Sequence, residues 1–366
     1  MISVAYFISG HGYGHAVRSG QVIRRLKEAC PELEFHVRTT APRWFLLHLP
    51  FPVSYAERPM DVGIVQRDSL QMNIEETLHA CESLHKRMPA LVEENLAFIE
   101  QKKIRLVLGD IPPLCFEIAS QASLPSVAIG NFSWDWVYRA YLPSFPSFLP
   151  LIREMESFYR KATLALSLPF SCDMEIFPNQ KSIPLITRTS SLDKREARRR
   201  FGLPATAIVV LISFGGFGLE RIRWERLKQM EDFFFVTTGP AFKAEKNILI
   251  LPDAQPHYED LVRAADVVVS KPGYGIVSDI IAHRVRLLYT SRGDFPEYPF
   301  LVEMLNHWAT SEFISQEELL RGNMGAYLKT LLDKQPNWPE VPLNGAEAAA
   351  EKILDLLSSF PSEGRS

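Results

Sequence analysis

Several things that mark common protein classes are scarce or missing in this chain. Its 366 residues contain four cysteines, Cys30, Cys81, Cys115 and Cys172, too scattered for a paired metal-ligand spacing and read as free thiols of a reducing compartment. No apolar run is long enough to span a bilayer. The N-terminus enters a strand after one residue, without the basic flank and long apolar stretch of a secretion signal, so a cytoplasmic chain is expected. Formal net charge is −3, with no long acidic or basic tail, which speaks against a dedicated nucleic-acid binder. The basic stretch KREARRR, Lys194 to Arg200, reads as a solvated helix face. No glycine loop ends in Gly-Lys-Ser/Thr, which disfavours a P-loop ATPase or kinase, and no Asp-x-Asp cluster is present.

What is present is the composition of an ordinary soluble globular protein, 46% hydrophobic and 23% charged, in a chain longer than one core usually supports. Short apolar strands alternate with helical patterns: SVAYFIS, EFHVRTT, IRLVLGD and PSVAIGN in the first half, AIVVLIS, FFFVTTG, NILILP, ADVVVS and RLLYTS in the second. A helix is expected from about Ala16 to Glu28 and a long one from Ile74 to Gln101, bent at Pro89. Such alternation predicts an α/β protein of two Rossmann-like domains with parallel sheets and crossover helices. The proline- and serine-rich FPNQKSIPLITRTSSLDK is the linker candidate. The expected division is 1–180, 181–345, and a C-terminal helix and tail, 346–366, that packs back on the first domain. Ligands bind beyond the carboxyl ends of strands in open α/β sheets, so two such domains facing across a cleft predict a two-substrate site.

Each half feeds its first strand into a glycine-rich loop. In ISGHGYGHAVRS, Gly10, Gly12 and Gly14 let backbone approach a ligand closely, and two imidazoles accompany them. A dinucleotide fingerprint fails here, because the last position of G-x-G-x-x-G is His15 and EFHVRTT ends in threonines where a ribose-binding carboxylate belongs. In the second half, a strand ends at Ser270, the turn Lys271 to Gly275 holds two glycines, and a helix begins near Ile276. Its first turns can offer N–H groups and a positive dipole end to a diphosphate. Asp279 can accept hydrogen bonds from ribose hydroxyls, or it can simply stabilise the helix start.

SKPGYGIVSD followed by RGDFPEYPFLVEML resembles the donor-binding half of two-domain glycosyltransferases of the GT-B fold, notably the N-acetylglucosaminyltransferases of peptidoglycan synthesis. The resemblance implies that 181–345 binds a UDP-sugar as co-substrate, without metal or other cofactor, and that 1–180 is the acceptor side. It places Gly273, Tyr274, Gly275 and Asp279 at the diphosphate and ribose, and Asp294 and Glu297 near the donor sugar. SFGGFG, with Ser213, Gly215, Gly216 and Phe217, falls where these enzymes have a Gly/Ser-rich loop against the diphosphate. Lys271 would help neutralise that diphosphate and His257 would border the base pocket. In these families the first-strand loop ends in Gly-His, and the histidine, here His15, is the general base that activates an acceptor hydroxyl. The chemistry suits an imidazole, whose ordinary pKa of about 6.5 lets it take a proton at cellular pH. Related plant-type sugar transferases keep an Asp where Asp110 ends IRLVLGD, making His15 and Asp110 a candidate dyad. The bland alternative is that His15 only satisfies loop backbone.

Arg18 departs from the proline usual three residues after that histidine. Gly-His-x-x-Arg looks more like the nucleotide-sugar hydrolases of nonulosonate biosynthesis, in which a GT-B scaffold directs water at the sugar. GDIPPLCFEIASQASLPSVAIGNFSWDWVY, with SGHGYGHAVR, resembles the transferase-like N-terminal module of plant arabinokinases, for which a galactokinase-type domain would have to follow. A hydrolase or epimerase and a non-catalytic sugar-nucleotide-binding module therefore stand beside the transferase. On the acceptor side the candidates are His11, Gly12, Arg18, Asn131, Trp134 and Asp135. The surrounding aromatics, Trp136, Tyr138 and Tyr141 among them, either stack on an acceptor or pack between helices. The acceptor stays open between a small molecule and a lipid-linked sugar, the latter met peripherally at the inner face of the membrane.

Overall fold

The computed structural model describes residues 1–46, 48–68, 70–215 and 222–360. The chain divides into two compact units, one of residues 1–65, 73–186 and 342–366, the other of 66–72 and 187–341. Each is built, among the described residues, on a seven-stranded sheet.

The first sheet comprises β1 (Ile2–Ile8), β2 (Leu33–Thr39), β3 (Ser54–Glu57), β4 (Ile104–Asp110), β5 (Ser126–Gly130), β6 (Leu164–Ser167) and β7 (Gln180–Ser182), in the order β3-β2-β1-β4-β5-β6-β7. All of its pairings are parallel. Central strands covered by helices on both faces must be apolar throughout, and β1, β4 and β5 are buried almost end to end. The strand order reverses between β1 and β4, which opens a crevice at their carboxyl ends. The expected helices run Gly14–Ala29 and Ile74–Lys102. Asn73 caps the second by accepting from the Glu76 amide, and Pro89 is accommodated inside it. The helix Gly345–Ser359 packs on Gly14–Ala29 within this unit. Gly345 is pressed against the Pro184 carbonyl, and Arg25 meets Glu347 at 3.0 Å.

The second sheet repeats the plan with β8 (Ile208–Ile212), β9 (Phe233–Gly239), β10 (Lys243–Glu245), β11 (Ile248–Pro252), β12 (Val267–Ser270), β13 (Arg286–Tyr289) and β14 (Ser311–Phe313). Its order is β10-β11-β9-β8-β12-β13-β14, parallel except for the β10–β11 hairpin at one edge. The switch point lies between β8 and β12. The excursion 66–72 belongs to this unit, because Leu70 joins its apolar cluster with Val210, Ile212 and Val269. Lys194–Arg200 is a helix with an Asp193–Glu196 capping box, but it is not uniformly solvated. Arg198 is buried, donating to the Ala264 carbonyl and to Asp266, so one cation of the run ties helix to sheet.

Candidate functional site

In the first unit, β1 and β4 end side by side and bring the glycine loop to Asp110. His15 Nδ1 donates to Asp110 Oδ1 at 2.7 Å. Arg18, one turn further along the same helix, donates Nε to Oδ2 at 2.7 Å and Nη2 to Oδ1 at 2.5 Å. Ser19 adds a bond to Oδ2 at 2.9 Å. The carboxylate is fully buried, yet four donors surround it. Burial alone would raise the Asp110 carboxyl, but Arg18 and His15 more than reverse this and hold it below the ordinary value. His15 Nδ1 and Arg18 Nη2 are 3.0 Å apart because both point at the same oxygen. With Nδ1 engaged, Nε2 is the nitrogen left to take a proton, and the Phe132 ring meets the imidazole edge-on at 5.7 Å between centroids.

The acceptor-side candidates divide. Arg18 and Asn131 are both buried, with Arg18 Nη1 donating to Asn131 Oδ1 at 2.8 Å, so they build the floor under His15. Trp134, expected to face an acceptor, is completely buried and stacks on Tyr138. The indole Nε1 donates to Asp61 Oδ2 at 2.8 Å. Asp135 is also buried, which pushes its carboxyl up. The surrounding aromatics follow the packing alternative in part, since Tyr138 is buried and donates to the Gly63 carbonyl. His11 is half-buried, accepts from the Ile64 amide at Nδ1 and meets Trp134 at right angles. Gly12 adopts φ +69° beside it.

Asp61 is the residue that sequence reasoning missed. It lies on the loop after β3, a strand whose short, proline-flanked segment shows no clear alternation. Burial pushes its carboxyl above the ordinary value, against hydrogen bonds from Ser9, Trp134 and the Gly10 amide and the charge of His15.

In the second unit, Ser213 and Lys271 stand at the β8/β12 switch point. The Ser213 amide donates to the Val269 carbonyl, and Ser270 Oγ donates to the Ser213 carbonyl at 2.5 Å. Tyr258 OH reaches Ser213 Oγ at 2.6 Å. Gly273 begins the helix Tyr274–His283, and no side chain caps it among the described residues. Its first-turn amides, Gly275 among them, suit an anion. Lys271 is pulled down to about 7 by burial and by Arg292, with Asp68 acting in the opposite sense. Its Nζ lies 3.5 Å from Gln66 Oε1 on the excursion 66–72.

The carboxylates expected at the ribose and donor sugar are placed differently from one another. Asp279 is buried; its Oδ2 accepts from the Arg188 guanidinium, and its Oδ1 accepts from the Arg188 amide at 3.2 Å and the Thr187 hydroxyl at 3.3 Å. Glu297 is buried and paired with Arg292, whereas Asp294 and His257 are exposed. Gly215 has φ +67°, and Gly216 and Phe217 lie outside the described residues. No group of three or more His, Cys, Asp or Glu stands ready to hold a metal among the described residues. No helix among them is long and apolar enough to cross a membrane.

No family model matches the chain. L-arabinokinase of Arabidopsis thaliana is 28% identical over 365 residues, covering 96% of this chain. The chain spans about a third, 34%, of that plant protein's length. Among solved structures, Acinetobacter baumannii MurG matches with a TM-score of 0.56 at 14% identity, over 98% of this chain and 100% of its own. Phytolacca americana UGT2, complexed with UDP-2fluoro-glucose and pterostilbene, matches with a TM-score of 0.57 at 14% identity, over 98% of this chain and 94% of its own. Two α/β units in which six strands follow one order, together with these full-length structural matches, give the chain the fold of GT-B glycosyltransferases.

Proposed function

We propose that the chain is a glycosyltransferase that moves a sugar from a nucleotide-sugar donor, a UDP-sugar in the first instance, to a hydroxyl of a small-molecule or lipid-linked acceptor. The observation that carries this reading is the His15–Asp110 contact at the carboxyl edge of the first sheet, in a chain with the GT-B fold. Asp110 fixes the imidazole tautomer, so Nε2 accepts the acceptor proton as the oxygen attacks the anomeric carbon. Lys271 and the amides at the start of Tyr274–His283 neutralise the departing diphosphate, the work a metal ion does in other transferase folds. The UDP-2fluoro-glucose in the complex of the structural relative UGT2 supports the choice of nucleotide.

The test is calorimetric titration of the purified chain with UDP, GDP, ADP and CMP in the presence of a chelator, followed by incubation with the matching nucleotide sugars with and without acceptors. Tight binding of one of these nucleotides, UDP in the first instance, and acceptor-dependent loss of its sugar are expected. Binding of none overturns the donor assignment, and stoichiometric loss without acceptor makes the chain a hydrolase.

A further inference from the structure

The charges around His15 leave one demand unmet by the dyad. Asp110 is shared with Arg18, whose guanidinium touches both carboxylate oxygens, so the pair is internally neutral before His15 takes a proton. An imidazolium formed there lies 3.0 Å from an arginine nitrogen. A buried positive charge needs a counter-charge that no other cation has already neutralised.

Asp61 meets that description. The groups that hold it are neutral: the Trp134 indole at 2.8 Å, the Ser9 hydroxyl and the Gly10 amide. It is half-buried, and the Trp134 ring whose indole it holds lies 6.4 Å between centroids from the His15 imidazole, which puts the carboxylate beside the same glycine loop. The other titratable groups packed around the two residues are held in neutral forms. Burial raises Tyr6 of β1, Cys115, Tyr138 and Tyr159, and pushes Cys81 up to about 12. His11 accepts a hydrogen bond at Nδ1 and so presents a neutral ring.

We infer that Asp61 is the counter-charge of the imidazolium formed at His15, and thus a positioning residue for the proton transfer, an inference that rests on the general-base reading above. The carboxylate must be ionised to serve. Burial favours its protonated form, so the support given to His15 fades as pH falls through the raised Asp61 value.

The experiment follows the imidazole signals of His15 by NMR in histidine-labelled protein, wild type against Asp61→Asn and Asp61→Glu, together with the pH profile of kcat/KM on the donor that wild type consumes. In D61N, His15 is expected to titrate lower by roughly one pH unit. The acidic limb of the profile should move the same way while the plateau falls, because a less basic imidazole deprotonates sooner and accepts a proton less readily. D61E, which keeps the charge, should restore the titration toward wild type. A D61N protein that folds and leaves the His15 titration in place overturns the inference. The NMR arm needs no substrate, so it stands even if the transferase reading fails. Should D61N not fold, wild type alone decides: the His15 signals should show a second, smaller inflection as Asp61 titrates, and a single inflection overturns the inference.

Discussion

At the β1/β4 switch point the first unit gathers a carboxylate, a guanidinium and an imidazole within hydrogen-bond distance and buries them together. At the β8/β12 switch point the second unit gathers an ammonium, a neighbouring guanidinium and a helix start without a side-chain cap among the described residues. Six strands follow one order in both, β3-β2-β1-β4-β5-β6 and β11-β9-β8-β12-β13-β14, with β7 and β10 added at opposite edges, so shared topology sets where a site forms and the loops set its chemistry. The first cluster compensates its own charge, which suits holding and moving one proton. In the second, Arg292 and burial act on Lys271 in one sense and Asp68 in the other.

Removing His15 puts the greatest strain on this contrast. His15→Ala is expected to lower kcat by about 10² to 10⁴-fold with little change in nucleoside-diphosphate affinity. Steady-state kinetics beside calorimetry check it. An equal loss in diphosphate binding would break the division of labour between the two switch points.

Next comes the partner of the buried carboxylate. Arg18→Ala leaves Asp110 with its burial cost and without its principal cation, and destabilisation of about 3–5 kcal/mol is expected. Urea unfolding measures this. Because Asp110 is held low in the folded state, its contribution is present above the ordinary carboxylate range and is lost as pH falls through its lowered value. In R18A that loss should begin at higher pH.

The second switch point predicts a dependence of the same sign in a higher pH window. Lys271 is lowered from 10.5 to about 7, so the folded chain binds fewer protons than the unfolded one between those values and stability rises with pH across that window. Lys271→Met should flatten the rise. It should also weaken diphosphate binding by about 10- to 100-fold at pH 6, as expected for a lost charge-assisted hydrogen bond, and less at pH 9. Diphosphate affinity of wild type that is indifferent to pH from 6 to 9 would detach Lys271 from the anion.

Much of the fold was legible because central parallel strands are apolar runs and the crossover helices are long. The neighbourhood of His15 and Asp110 was legible for the same reason, since both follow strands that end at one sheet edge. Other parts had no periodicity to read. Ser54–Glu57 is short and half-exposed, so the loop carrying Asp61 had no strand to anchor it in the sequence. The membership of 66–72 in the second unit rests on Leu70 in its apolar cluster and on the Gln66 contact with Lys271, which no local pattern announces. Arg18, Asn131 and Trp134 were placed near the site by their loops. Whether each faces a ligand or the core depends on three-dimensional packing, and all three are buried.

The smallest expected effect concerns a backbone feature that the two switch points share. Gly12 and Gly215 lie in the loops after the first strand of each sheet, with φ of +69° and +67°, and among the described residues a Cβ at either meets no heavy atom within 4 Å. Gly12→Ala and Gly215→Ala should therefore cost left-handed strain alone, about 1 kcal/mol each, measured by urea unfolding. Gly10→Ala is the contrast, because its Cβ would fall 1.8 Å from Thr40 Oγ1 and 3.1 Å from Thr40 Cβ, forcing the end of β2 to give way. Equal costs for Gly10 and Gly12 would mean that the first loop yields freely to a side chain. A larger cost for Gly10 would mean that close packing, and not φ alone, holds the loop that carries His15.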